Sequence, residues 1–284
     1  MAELLKGSPA AAALNERLKK RSAALRERGI VPRLVLLRIG AQEDDLFYER
    51  NAVRCCGKVG VEAESCCLPG DVPQAAVEAE LRRLNEDASV HGVILLCSGA
   101  RHLDLEALHA VLAPAKDVDG VTAGSLAGVF TGRGDGYAPC TAQACMELLH
   151  HYGVDCRGKH AVVIGRSLVV GRPLAMLLLA EDATVTLCHS KTEHLAEITR
   201  SADIVVAAVG KLRAIGGECF RPGQIVLDVG TNWDAAAEKF AGDVDFAAAE
   251  PLAAAISPVP GGVGSVTTGI LAEHVVKAAE LILA

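Results

Sequence analysis

Aromatic side chains make up only 3% of this 284-residue chain, with one tryptophan, and that scarcity removes a class of function at once. A platform for single-stranded nucleic acid is built from aromatic faces on which bases stack, and too few are available here. Basic blocks are missing too. The formal net charge is −7 and no cluster of lysine and arginine is placed to neutralise phosphates, so a nucleic-acid partner is not expected. No apolar run approaches the roughly 20 residues of a membrane span. The start, MAELLKGSPAAAALNERLKK, carries no apolar stretch of signal length behind a basic head. A cytosolic protein with no membrane partner is the expectation. C-x-x-C pairs are also absent, although cysteine occurs ten times. In a chain of this length, with Cys55–Cys56 and Cys66–Cys67 adjacent, these read as reduced, mostly buried small residues, with no metal site.

What is abundant is apolar residue, at 51% of the chain, enough for two domains with real cores. The N-terminal part alternates helix and strand signals. A helix ends near Arg28, a strand spans Leu34 to Ile39, and a helix covers Asp44 to Lys58. A strand at Val61 to Leu68 is followed by a helix after Pro73, a strand at His91 to Cys97 and a helix at Leu103 to Leu112. The stretch Gly120 to Pro139 is glycine-rich without a clear period and is read as the domain junction, with Thr141 to Tyr152 as a connecting helix. Apolar strands follow at 160–164, 184–188, 203–209 and 224–229, and an amphipathic helix runs from about Thr268 to Leu283. The expected fold class is α/β, with two α/β domains of which the second is a Rossmann-like, doubly wound parallel sheet. The first domain is expected at 1–120, with the helix at about 268–284 packing back on it, and the second at 121–267.

The most telling segment is KHAVVIGRSLVVGRPLAMLLLAEDATVTLCHSKT, Lys159 to Thr192, which reads as strand, glycine turn, helix and strand. That is the layout of a dinucleotide-binding unit. The spacing from Gly165 to Gly171 is wider than in G-x-G-x-x-G, so the context and not the motif carries the reading. A ribose with a free 2′-hydroxyl is normally held by an acidic residue about 20 positions past the first glycine. Here that place reads Cys188, His189, Ser190, Lys191, Thr192. A hydroxyl and a cation there, with Arg166 directly after Gly165, suit a 2′-phosphate, and NADP is favoured over NAD. Solvated loop residues at a strand end are the plainer alternative.

Four motifs occur in order: KDVDG at 116–120, PCT at 139–141, GRSxxVGxP at 165–173 and PGGVGSVT at 260–267. With CHSKT at 188–192 and LDVGTN at 227–232, the chain resembles the bifunctional methylenetetrahydrofolate dehydrogenase/cyclohydrolase family. The resemblance implies a two-domain subunit, a homodimer, a folate cleft between the domains, and NADP on the second. It implies tetrahydrofolate derivatives as small-molecule substrates. Tyr48 and Asp119 are the implied catalytic residues. They also bind substrate, together with Pro260, Gly261 and Gly262. For the cofactor it implies Thr141, then Gly165, Arg166, Ser167, Val170, Gly171 and Pro173 of the glycine turn. His189, Ser190, Lys191 and Thr192 follow, and then Gly210, Gly230, Thr231 and Thr267. By themselves these residues leave other readings open. The 261–264 glycines suit a loop closing over a flat pterin or a flexible turn. Asp119 can accept two hydrogen bonds from an amino-pyrimidine edge, or can be a turn residue before glycine. Cys140 and Thr141 could simply start a helix, with Thr141 as its N-cap.

The first domain departs from the pattern that the resemblance implies. Tyr48 should be followed one helical turn later by a lysine, and position 52 is alanine. A glutamine should follow the third strand, and position 96 is leucine. Arg54 and Lys58 are nearby cations, but two residues of offset turn Arg54 to another side of the helix. Hydride removal from the one-carbon bridge needs mainly alignment, whereas hydrolysis of the methenyl product needs a proton sink and leaving-group protonation. The expected function is therefore NADP-dependent oxidation of 5,10-methylenetetrahydrofolate to the 5,10-methenyl form in one-carbon metabolism, with cyclohydrolase action to 10-formyltetrahydrofolate in doubt. The alternatives are a fully bifunctional enzyme with a relocated cation, and a nucleotide-binding regulatory protein that has lost folate chemistry.

Overall fold

The computed structural model describes residues 2–133 and 136–282. In chain order the elements are β1 (Glu3–Leu4), α1 (Gly7–Glu27), β2 (Arg33–Ile39), α2 (Glu43–Lys58), β3 (Glu62–Leu68), α3 (Gln74–Glu86), β4 (Gly92–Leu96), α4 (Leu105–Val111), α5 (Ala123–Thr131) and α6 (Cys140–His151). Next come β5 (His160–Ile164), α7 (Gly171–Ala180), β6 (Thr184–Cys188), α8 (Leu195–Ser201), β7 (Ile204–Ala207) and β8 (Ile225–Asp228). The chain ends with β9 (Asn232–Asp234), β10 (Lys239–Ala241), α9 (Phe246–Ala249), β11 (Ala255–Ile256) and α10 (Thr267–Leu281). The last two positions of the expected C-terminal helix, 283 and 284, lie outside the described residues. No helix among the described residues is long and apolar enough to cross a membrane.

Packing divides the chain into two units. One comprises residues 12–140 with 268–284, and the other residues 1–11 with 141–267. In the first, a three-stranded parallel sheet has the order β3-β2-β4. The central strand, RLVLLRI, is apolar on successive residues because it is covered on both faces. Val35, Leu37 and Ile39 meet Val77, Leu81 and Leu84 of α3 on one face, closed by Leu103 and Leu108. Helix α10 has nine buried residues and runs beside α1. The helices meet closely at Gly269, where a β-carbon would lie 2.9 Å from Leu14 Cδ2 and that side chain would have to shift. Arg21 of α1 pairs with Glu280 at 2.7 Å and Glu273 at 3.1 Å across the same contact.

The second unit holds a six-stranded sheet of order β1-β11-β8-β7-β5-β6, parallel at every pairing. The chain leaves β5 for β6 on one side and returns to β7 on the other. That reversal opens a crevice beyond the carboxyl ends of β5 and β7, where doubly wound sheets bind ligands. Four of the six strands are those expected. The other two, β1 and β11, are two residues long each and too short to show a period.

The segment read as an irregular junction, Gly120 to Pro139, contains α5. Its glycines hide a helix whose ends are nonetheless well marked. The Thr122 side chain accepts a hydrogen bond from the Ser125 N–H, and Gly132 closes the helix at φ 66°. The unit boundary consequently falls at 140/141 and not near 120, and residues 1–11 go with the second unit because β1 pairs with β11. Thr141 is an interior residue of α6, which starts at Cys140, so it is not an N-cap.

Candidate functional site

The turn KDVDG places two carboxylates two residues apart and gives them different work. Asp117 is fully buried and accepts hydrogen bonds from the N–H groups of Gly120, Val121 and Thr122, at 3.0, 3.1 and 2.7 Å. It is the staple of the turn. Gly120, at φ 74°, passes so close to Ala138 and Pro139 that a β-carbon would lie 2.6 Å from their backbone. Asp119 is half-buried and lines a cavity of about 590 Å³ along β4. Burial, and then the neighbouring Asp117 charge, raise its carboxyl to about 6, against the effect of the Cys140 thiol that donates to it. Tyr48 lies near Asp119, although it is not part of that cavity's wall. Burial first, and the Asp119 charge second, hold its phenol far above its ordinary value, so it remains an O–H donor.

The same cavity is lined by Leu96, and by Arg101 and His109, two basic residues that inspection of the motifs did not single out. Ala52 is completely buried on the inner face of α2 with Cys56. Arg54 lies two residues on, roughly 200° round the helix. Its guanidinium is exposed and donates to Asn51 Oδ1 at 2.7 Å, within an outward group that includes Phe47 and Arg50. Neither position 52 nor position 96 therefore supplies a titratable group.

At the carboxyl ends of β5, β6 and β7 a second cavity, of about 400 Å³, is lined by Gly165, Arg166, Ser167, His189 and Ser190, with Lys211 opposite. Its floor depends on two glycines. Gly165 has φ 133° and a β-carbon there would lie 2.1 Å from Ala208 O. A β-carbon on Gly171 would lie 2.0 Å from Gly165 O and 2.5 Å from its carbonyl carbon. The turn thus exists only because both residues lack side chains. Ser167 Oγ accepts from Val170 N–H at 3.1 Å, shaping the approach to α7. Pro173 is the third residue of that helix, where a missing N–H costs no intrahelical bond.

The CHSKT loop is held by its own polar groups. Thr192 Oγ1 accepts from His189 N–H at 2.8 Å, and His189 Nδ1 accepts from Lys191 N–H at 3.1 Å. These bonds turn the Ser190 side into the cavity, while Lys191 and Thr192 stay off its wall. Gly210, at φ 65°, also stays off it, between the lining residues Val209 and Lys211. That loop hangs from buried Asp243, which accepts the N–H groups of Val209, Gly210 and Lys211 at 2.6, 2.9 and 2.8 Å.

A third cavity, of about 330 Å³, collects Gly230, Thr231, Pro260, Gly261 and Gly262 in the same unit. It thus joins residues expected for the cofactor with residues expected for the substrate. Gly261 adopts φ 99° and its carbonyl accepts from Gly7 N–H at 2.8 Å. Thr141 and Thr267 line none of these three cavities. Thr267 Oγ1 instead donates to Gly264 O at 3.1 Å, at the start of α10.

The family model for the catalytic domain of tetrahydrofolate dehydrogenase/cyclohydrolase matches residues 5–119, and that for the NAD(P)-binding domain matches residues 139–283. The chain belongs to the tetrahydrofolate dehydrogenase/cyclohydrolase family. It is 45% identical over 283 residues to the bifunctional protein FolD of Carboxydothermus hydrogenoformans, covering 99% of both chains. Among solved structures it is similar to the bifunctional FolD methylenetetrahydrofolate dehydrogenase/cyclohydrolase of Campylobacter jejuni, at 34% identity and TM-score 0.95, over 99% of this chain and 100% of that one. It is also similar to the Trypanosoma brucei methylenetetrahydrofolate dehydrogenase-cyclohydrolase complexed with NADP cofactor and inhibitor. There the identity is 35% and the TM-score 0.90, over 99% and 98% of the two chains.

Among the residues that sequence reasoning passed over, Lys211 had a usable signal, since it lies just past a strand at the carboxyl edge of the sheet. Arg101 and His109 had none, because a lone basic residue in a loop or an apolar helix is not distinctive.

Proposed function

We propose that this chain is an NADP-dependent 5,10-methylenetetrahydrofolate dehydrogenase that hydrolyses its methenyl product slowly. The observation that carries the reading is the glycine-floored crevice at the sheet's switch point, in a chain of this family, with Arg166, Ser190 and Lys211 on its wall and no carboxylate among the residues lining it. When bound, NADP supplies the hydride acceptor. The chain's own part is to hold and align. The floor at Gly165 and Gly171 admits a pyrophosphate close to backbone. Arg166 and Ser190 suit a 2′-phosphate, with Lys191 beside them, and the cavity holding Gly230, Thr231 and Gly261 suits flat rings. Asp119 accepts from the amino edge of the pterin, and Tyr48 packs beside it.

The test is a coupled assay that follows NADPH and the methenyl chromophore together, with methylenetetrahydrofolate as substrate. No NADPH formation in step with methenyl would end the reading. Within it, Arg166→Ala combined with Ser190→Asp is expected to move the ratio of kcat/KM from NADP toward NAD, since a cation is removed and an anion added at the 2′ position. Equal use of the two cofactors by the parent protein would contradict this.

Asp119→Ala is expected to raise the folate KM by about 10- to 100-fold, the loss of a hydrogen bond to a charged group, while NADP affinity holds. Because the Asp119 carboxyl is raised to about 6, the parent's folate KM is expected to climb as pH falls through that value, where the acceptor becomes protonated. A pH-independent folate KM from 5 to 8 would count against the role. The reading includes a cytosolic homodimer. The exposed edge-to-face pair Trp233 and Phe240 on the β9–β10 hairpin is an aromatic surface of the kind enriched at protein interfaces, and sedimentation velocity measures the subunit state.

A further inference from the structure

Next to Asp119 lies a buried group that the proposed chemistry leaves unused: Cys140 and His274, both against the carbonyl of Val118, with Tyr137 stacked on His274. His274 is almost entirely buried in α10, on the face that also buries Ile270, Leu271 and Ala278. Its Nδ1 approaches Val118 O at 2.8 Å, which places the ring proton on Nδ1 as the donor. The ring stacks on Tyr137, with centroids 4.9 Å apart and planes at 28°, and Lys277 lies over the other ring of that stack at 5.9 Å. Burial, ahead of the Lys277 charge, lowers the imidazole to about 4, so it is a neutral donor at working pH.

Cys140 Sγ lies 3.3 Å from the same Val118 carbonyl and 3.9 Å from His274 Nδ1, and it also hydrogen-bonds Asp119. A thiol has one proton and can serve one acceptor at a time. With His274 already donating to Val118 O, that buried carbonyl is satisfied without the thiol, and the thiol proton is free for the Asp119 carboxylate. Val118 and Asp119 share a peptide unit, so a donor that pins the Val118 carbonyl also fixes the direction in which the Asp119 side chain leaves the turn.

We infer that His274 is a positioning residue for Asp119: its Nδ1–H anchors the Val118 carbonyl and leaves Cys140 to orient the carboxylate that receives the pterin. The inference rests on Asp119 being the folate anchor. Nothing about it requires His274 to touch substrate or to change its protonation.

The test uses the two amide replacements that mimic the two ring nitrogens. In His274→Asn the amide nitrogen falls at the distance of Nδ1 from the backbone, and in His274→Gln it falls nearer Nε2. His274→Asn is expected to retain the parent's folate KM within about twofold. His274→Gln is expected to raise it about tenfold, in line with a buried acceptor left without its donor, with NADP Kd unchanged. If His274→Gln does not fold, His274→Phe keeps the ring on Tyr137, lacks the donor, and is expected to show the same rise. Equal folate KM values in Asn and Gln variants, whether both normal or both raised, overturn the inference. So does a lowered Tm with an unchanged folate KM, which marks a purely structural contact. Asp119→Ala measured alongside separates the two ideas. An unchanged folate KM there removes the anchor reading itself, whereas a raised value there with a normal His274→Gln removes only the role of His274.

Discussion

Methenyltetrahydrofolate is expected to accumulate with NADPH during turnover, because oxidation runs on alignment while the water step lacks its acid–base group. A positioned general acid or base is worth about 10²–10⁴-fold, and hydrolysis of added methenyl substrate is expected to fall short by that order relative to a bifunctional relative assayed alongside. The physical ground is local. Ala52 and Leu96 carry hydrocarbon side chains with no ionisable group, and both are buried, so no water stands in at either place. Ala52→Lys alone would bury an ammonium against an apolar wall and is expected to destabilise more than it restores. Ala52→Lys with Leu96→Gln gives the cation a polar neighbour. Hydrolysis is expected to rise more in the pair than the two single changes together predict, since the groups act as a unit. Rapid hydrolysis by the parent protein would show that the function has moved within the site. Arg101 and His109, which line the Asp119 cavity, would then be mutated before Arg54, which points outward.

Gly171→Ala is expected to abolish usable NADP binding, raising Kd by about 100-fold or more while the folate unit stays folded. The added methyl would stand 2.0 Å from Gly165 O and 2.9 Å from Arg166 N, both backbone atoms of the turn that forms the floor of the crevice. Neither can retreat cheaply, because both belong to the main chain of a turn that Gly165 holds at φ 133°. Overpacking of this kind costs about 1–3 kcal/mol even where side chains can repack, and here the backbone itself must move. Fluorescence titration with NADPH measures the effect. Gly57→Ala on the exposed side of α2, where a β-carbon meets nothing within 4 Å, is the control and is expected to bind NADPH as the parent does. A normal Kd in Gly171→Ala would mean that the nucleotide does not rest on this turn.

The sequence by itself was sufficient for the second unit's central strands, since β5 and β6 fall at 160–164 and 184–188 where apolar runs end in glycine or polar punctuation. It was sufficient, too, for the order of motifs that marks the family, because short motifs in series carry information that needs no folding to read. It could not separate Asp117 from Asp119. Both are aspartates in one turn, and only the folded chain spends one on three backbone N–H groups and leaves the other facing a cavity. Helix α5 was hidden because glycine lowers local helix propensity and its stability comes from caps and packing. Strands β1 and β11 were hidden because each is two residues long, too short for a period, and β1 finds its partner only 252 positions on, Glu3 with Ala255 and Leu4 with Ile256. The place of His274 against the Val118 carbonyl has the same origin. A side chain and a backbone carbonyl separated by more than 150 positions meet only after the sheet and α10 have formed, and spacing along the chain holds no record of that contact.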